Sequence, residues 1–430
     1  MTEFEIPLRF RKPPEWPDAA RPPALIYDAE AYAAAPDRSM QPVLAGRTVL
    51  KPRIDLSRYQ AKAVIDWIKI RLATPGRHQA VNMHRTVNRM LERQGGATSV
   101  YVSGPNDEER HHGNQFCLKF QDPAPRSFQA LLHEIAAYYD ADTNSIEDLP
   151  IAGIEISVDF YVRKSLELND DDRDLCRWQM VELLRRHLRP EAVLTEEVYC
   201  RPRTFGSEYE NSGATFVLKT RGSTVSGDLV RHFHRLGVDE RHRPALQRAA
   251  HNQPPVDHTY WVGARDFLVA LRSMDKITDR RDPKTGDAIQ LAPDNCRARL
   301  EVTLQGTSDI VGGHGAVDLT TVGDLFGFKF QGIRKPFFEF FLPTLGATCE
   351  TDSLPFPVKV TEQEVFKRSG VYGLDRLHRA IEAVNHAAYE RGETSDEPVR
   401  LRKKGRLMSY EELNRRFDTA LKGLTRDWKR

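Results

Sequence analysis

The sequence predicts an α+β protein built on a mostly antiparallel sheet, with helices on one face and a helical, basic module at the C-terminal end. Two observations carry this. Five segments alternate apolar and polar residues with a period of two, as in strands that pack one face and leave the other open. Between them lie segments whose apolar residues recur near helical spacing.

Taken in order, residues 1–45 hold Pro7, Pro13, Pro14, Pro17, Pro22, Pro23, Pro36 and Pro42. Proline denies a segment continuous ladders or helical bonds, so an irregular arm is expected. The first strand is read at 65–72, where Trp67, Lys69 and Arg71 alternate with Ile68, Ile70 and Leu72. The second is 116–121, with Lys119 on its polar side, and the third is 154–161, with Glu155, Ser157, Asp159 and Tyr161 opposing Ile154, Ile156, Val158 and Phe160. A fourth, 268–276, sets Leu268, Ala270, Arg272, Met274 and Lys276 on one side. The fifth, 297–305, sets Arg297, Arg299, Glu301, Thr303 and Gln305 against Ala298, Leu300, Val302 and Leu304.

Helices are expected at 127–139 and at 171–188, the latter with Leu175, Trp178, Val181, Leu184 and Leu188 near helical spacing. Beyond residue 345, Thr361-Glu-Gln-Glu364 reads as a capping box, Gly370 as a helix stop, 374–389 as a further helix and Ser409-Tyr-Glu-Glu412 as another capped start. Helix, glycine turn, helix is compatible with a winged-helix module. Three segments follow: an arm over 1–45, an α+β domain over 46–345 and a basic helical module over 346–430.

Composition narrows the function classes. The 430 residues are 40% hydrophobic and 29% charged, with no apolar run near the roughly 20 residues a membrane helix needs. The first residues lack a basic stretch followed by an apolar core, so no secretory signal and a cytoplasmic location are expected. Five widely spaced cysteines include no CxxC pair, which argues for reduced thiols rather than a zinc site. A net charge of +2 does not announce nucleic acid, but Arg201 with Arg203 and the basic run 400–406 are local cation clusters. Walker and GxSxG signatures are absent.

The chemistry concentrates on the polar strand sides. Trp67, Lys69, Arg71, Lys119, Arg297 and Arg299 form a basic, aromatic platform around Glu155, Asp159 and Glu301. Phosphodiester chemistry wants this combination, because carboxylates hold a divalent ion (Mg²⁺ or Mn²⁺) while arginine and lysine neutralise the nucleic-acid backbone. Glu155 and Asp159 are about 13 Å apart along an ideal strand at roughly 3.3 Å per residue, so one ion cannot take both without a bulge. A pairing of one of them with Glu301 is expected, the other acid orienting Arg272 or Arg299.

Ile65-Asp-Trp67, Gly153-Ile-Glu-Ile-Ser-Val-Asp159, Thr259-Tyr-Trp-Val-Gly-Ala-Arg265, Leu271-Arg-Ser-Met-Asp-Lys276 and Arg299-Leu-Glu-Val302 occur in this order. In that order and spacing the chain resembles replication initiators of the Rep_trans type, found in rolling-circle plasmids and related phages and integrative elements. The resemblance spans about residues 60–306. It implies an initiator-nuclease-like fold and metal-dependent, site-specific nicking and joining of origin DNA through a tyrosine, with metal ligands at Glu155, Asp159 and Glu301. It also implies DNA contacts from Trp67, Lys69, Arg71, Arg265, Arg297 and Arg299, catalytic support from Arg272 and Lys276, and host helicase and polymerase as partners. Met274 stands where the family carries its nucleophilic tyrosine. Tyr260, on the preceding strand, is the nearest replacement, with Tyr161 and Tyr209 further off. A non-cleaving, initiator-derived DNA-binding protein is the alternative, and a structural α+β protein with charged strands a third. His232-Phe-His234 matches the two-histidine string of another initiator superfamily, but it reads as helical, which points the two rings apart.

Overall fold

The computed structural model describes residues 3–16, 22–31, 46–95, 99–141, 143–189, 203–205, 254–262, 269–281, 288–305, 319–346 and 407–429, together with 362–363, 365–367, 370–375 and 378. The expected features at Arg265, Tyr209, His232, His234, the 400–406 run and most of 374–389 lie outside the described residues.

The main sheet has eight strands, each antiparallel to its neighbours. They are β4 (Tyr59–Gln79), β5 (Val100–Ser103), β6 (His112–Gln121), β7 (Ile151–Val162), β8 (Arg203–Phe205), β9 (Thr259–Val262), β10 (Val269–Lys276) and β13 (Arg297–Gln305), in the order β5-β6-β4-β7-β13-β10-β9-β8. All five strands read from alternation are present, four of them close to the expected limits and β4 much longer. Their apolar sides are buried at Ile68, Ile70, Leu118, Ile156, Val158, Leu300 and Val302. Helices α1 (Ala80–Arg93), α2 (Pro125–Tyr138), α3 (Asp170–His187) and α6 (Glu411–Asp427) pack on this apolar side, as where Phe160 meets Phe417 at 5.4 Å between ring centroids. The α+β class and the antiparallel sheet are therefore as the sequence predicts.

A second sheet of five strands corrects the expected division. It runs β1 (Glu3–Pro7), β2 (Ala24–Ala31), β3 (Arg47–Pro52), β14 (Phe341–Gly346), β15 (Leu407–Ser409). The arm expected to be irregular carries two strands, because most of its prolines fall between them and Pro7 ends β1. The boundary expected at 345 lies inside β14, which bonds to β3 on one side and β15 on the other. In the C-terminal segment the described residues show β15 and α6 in addition to helical turns at 362–378, and no winged helix. A two-stranded hairpin, β11 (Thr278–Arg281) with β12 (Ala288–Gln290), and short helices α4 (Val322–Gly327) and α5 (Arg334–Phe337) complete the described structure. The expected Ser409 cap is not formed: Tyr410 is the N-cap and makes no side-chain cap bond.

Helix α3 lies between the two sheets and is buried on every side over its last two turns, which its apolar spacing alone does not announce. Asn169 caps it, three aspartates fill its first turn, and Arg185 and Arg186 stand in its last, matching the helix dipole, beside a neutral His187. Its buried cations are all bonded. Arg185 donates to the carbonyls of Pro255, Val256 and His258, and Arg186 to Glu182 and to the carbonyls of Phe366 and Lys367. His187 bonds the Phe341 carbonyl through Nδ1 at 2.7 Å and meets the Tyr27 hydroxyl through Nε2 at 3.1 Å. Gly370 closes on the same helix end: its φ is +59°, and a Cβ there would stand 2.4 Å from the Arg186 carbonyl oxygen.

Two predictions follow from this packing. Gly370→Ala meets both a left-handed backbone and a backbone clash, so it should cost more than about 1 kcal/mol, seen as a lower urea midpoint; an unchanged midpoint rejects the close approach. Burial, the first cause, lowers the His187 pKa from 6.5 to about 3. The unfolded chain therefore takes up a proton below pH 6.5 that the folded chain refuses until about pH 3, and stability falls with pH across that window by about 1.4 kcal/mol per unit. In urea unfolding at pH 6.5, 5.75 and 5.0, His187→Gln should flatten that fall; parallel profiles would reject it.

Candidate functional site

The polar side of the central strands gathers the predicted residues, and a bulge decides which of them meet. Strand β4 pairs Ile65 with Ile156 of β7, then Trp67 with Glu155, so Asp66 has no counterpart. One extra residue moves every later side chain to the other face. Asp66 thereby joins the face of Glu155 and Glu301, and Trp67, Lys69 and Arg71 follow on that face.

Asp66, Glu155 and Glu301 each offer a carboxylate oxygen, and the three oxygens lie within 4.8 Å of one another. The register explains this. Glu301 of β13 pairs with Ser157 of β7, one alternation step from Glu155, and β4 brings Asp66 from the opposite flank. Ser157 Oγ donates to Asp66 at 2.5 Å and lies 3.5 Å from Glu301 Oε2, while Thr303 donates to Glu155 at 2.5 Å. A set of hard oxygen donors at this separation fits Mg²⁺ or Mn²⁺. Arg272 shares the space: its guanidinium pairs with Glu301, reaches Glu155 at 3.5 Å, and rests over the Trp261 ring at 5.0 Å.

Asp159 belongs to a different arrangement, which corrects its expected place among metal ligands. It accepts two bonds from Arg299, at 2.6 and 2.7 Å, and one from Arg297 at 2.9 Å. Arg299 also donates to Asp66 at 2.7 Å. Burial disfavours the charge on Arg299, but Asp159 and Asp66 outweigh it and raise its pKa. The face expected to be open is mostly closed: Asp159 and Glu301 are each 1% exposed and Trp67 7%.

Other predicted residues separate as follows. Arg297 and Arg299 hold Asp159 rather than facing outward. Trp67 lies beside Gly153, where a Cβ would come within 3.2 Å of its ring, and Lys119 covers the ring at 4.1 Å. Lys69 pairs with Asp107 at 2.8 Å, whereas Arg71 is exposed. Lys276 donates to the Asp279 carbonyl at 3.2 Å, and burial, then Arg299, lowers its pKa.

The tyrosines correct the sequence expectation. Tyr260 pairs with Ser273, so it points to the opposite side from Arg272, and it is 2% exposed. Burial raises its pKa well above 10, with Tyr372 adding to the rise. Tyr260 is a core residue, on the side of the sheet away from Arg272. Tyr161 does share the polar side, two residues beyond Asp159, to which it donates at 3.3 Å; burial, then Asp159, pushes its pKa up to about 12. Met274 sits on the polar side between Arg272 and Lys276, opposite Arg299.

Asp66 is the residue that alternation missed. Its signal was a change of phase: Ala63 and Ile65 are apolar at odd positions, then Ile68, Ile70 and Leu72 at even ones. Such a switch within one strand marks a bulge.

Two outcomes test the centre. Mn²⁺ should raise the thermal midpoint of the native chain and leave Asp66→Asn and Glu301→Gln unmoved; an equal rise in all three places the ion elsewhere. Asp159→Asn strands two guanidiniums and should cost about 3–5 kcal/mol in urea unfolding; a loss below about 1 kcal/mol refutes the clamp.

No family model matches the chain, and no curated protein does. Among solved structures, a rolling circle replication initiator protein from Geobacillus stearothermophilus aligns over 75% of this chain and 97% of that one, at 10% identity and a TM-score of 0.23, a score at which likeness carries no functional information.

Proposed function

We propose that the protein is a DNA-handling replication initiator of a plasmid, phage or integrative element, which binds origin DNA and nicks and rejoins one strand with the help of a divalent metal. The observation that carries this reading is the convergence of Asp66, Glu155 and Glu301 on one strand face beside Arg272 and Lys119. The order of the short motifs between residues 60 and 306 supports the choice of substrate.

The three carboxylates are the residues to hold the ion, which when bound supplies Lewis-acid polarisation of a phosphodiester oxygen. Arg272 gives up part of its pairing with Glu301 to neutralise the phosphate, and a guanidinium suits that task through its fork of donors. Arg299 keeps Asp66 oriented through its bonds to Asp159. Lys119 adds positive charge at the rim. Among the described residues Tyr161 lies on this face, and its raised pKa means that attack requires a base to remove its proton; Asp159, the acceptor of its hydrogen bond, is already held by two arginines.

A second reading, an initiator-derived protein that binds DNA without cutting, draws on Met274 at the nucleophile position and on Tyr260 in the core. Host helicase and polymerase are partners under the first reading, as the family resemblance implies.

Both are tested with supercoiled plasmid carrying the DNA that flanks the gene. Incubation with Mn²⁺ should give nicked circles with protein linked to the 5′ end, lost in Glu301→Gln and, if Tyr161 attacks, in Tyr161→Phe. Retarded but uncut DNA under every divalent metal supports the second reading, and nicks with free ends point to attack by water. Absence of any binding at about 0.1 M salt rejects both, since phosphate contacts dominate such affinity.

A further inference from the structure

The polar side of the sheet continues past the carboxylates into a cleft of about 630 Å³, beside residues 71–73 of β4 and 115–117 of β6. Its lining includes Arg71, Gln115 and Cys117 from the two strands, and Asn144, Asp148 and Pro150 from the segment that leads into β7. That segment is tied to the strand by the Arg71 amide, which donates to the Pro150 carbonyl at 2.9 Å. The volume lies within the roughly 300–1,000 Å³ of small-ligand sites.

Three features indicate what it takes. Arg71, Gln115 and Asn144 are exposed, and none of their side chains is bonded or ion-paired among the described residues. A guanidinium and two amides are the groups that make paired hydrogen bonds to base edges, and Asp148 adds an acceptor for an exocyclic amino group. A carboxylate in the lining disfavours a phosphate there, so a base suits the cleft better than the backbone does. The position also matters: Arg71 is five residues from Asp66 along β4, roughly 16 Å at strand rise, with Trp67, Lys119 and Lys69 between them.

We propose that this cleft captures one unstacked base of the single strand held at the carboxylate centre, with Gln115, Asn144 and Asp148 reading its edge and Arg71 gripping it at the mouth. The proposal rests on the DNA reading above and assigns it a second contact, displaced along the strand from the ion-binding carboxylates. Trp67 and Lys119 form the floor that the intervening nucleotides cross, and Lys69 flanks them.

Fluorescein-labelled single-stranded DNA of 4 to 12 nucleotides, titrated with the full chain and read by anisotropy, tests this. Affinity should rise about tenfold in one step, at the length that spans from the centre to the cleft. Arg71→Ala with Asn144→Ala should remove that step while leaving the affinity for shorter strands and the thermal midpoint as in the native chain. A photoreactive thymidine analogue placed at the nucleotide that completes the step should cross-link to the 143–150 segment. A step that persists in the double variant, or cross-links only at other segments, overturns the cleft assignment and leaves DNA binding intact. No binding of any strand by the native chain overturns the DNA reading, and the cleft assignment with it.

Discussion

Arg299 is the cation on which the polar side of the sheet depends. It takes both oxygens of Asp159 and one of Asp66, and it does so while almost wholly buried. Four carboxylates, Asp66, Glu155, Asp159 and Glu301, come together with three arginines, 272, 297 and 299. Without Arg299, the bulged loop of β4 that carries Asp66 has no counter-charge on the β13 side. Buried ion pairs of this kind repay their desolvation only when geometry is close and the remaining lone pairs are satisfied. Ser157 and Thr303 supply that satisfaction for Asp66 and Glu155.

The arrangement divides labour between acids that sequence spacing alone makes equivalent. Asp159 has its lone pairs committed to two guanidiniums and is a positioning residue. Asp66, Glu155 and Glu301 keep oxygens that converge, with Arg272 as their neighbour. The cation beside these acids is a half-buried arginine, Arg272, which pairs with Glu301 and reaches Glu155. Trp261 supports it from below, through the contact of its ring with the guanidinium.

The two sheets share α3. Arg185, Arg186 and His187 bond backbone carbonyls from segments far apart in the chain, which fastens β14 and the helical turns near Phe366 to the main sheet. Carbonyl and carboxylate oxygens surround the two arginines, and burial keeps His187 neutral although the Phe341 carbonyl favours its protonated form. The N-terminal strands and β15 complete the second sheet, so the ends of the described chain stabilise the middle.

Alternation over 116–121, 154–161, 268–276 and 297–305 determined these strands and which residues of each share a side, among them Glu155 on one and Arg299 with Glu301 on another, because side chains of an unbulged strand alternate with a period of two. The spacing of Glu155 and Asp159 also showed that one ion could not take both. Tertiary structure decided the rest. Asp66 reached the centre through a bulge, and a single extra residue reverses the face assignment that period-two reading would make. Tyr260 went to the core because its register with Ser273, not its distance in sequence from Arg272, sets its direction. The proline-rich arm gave strands because β1 pairs with β2 and β2 with β3, and β3 is held in turn by β14, far along the chain, pairings that no local pattern reports.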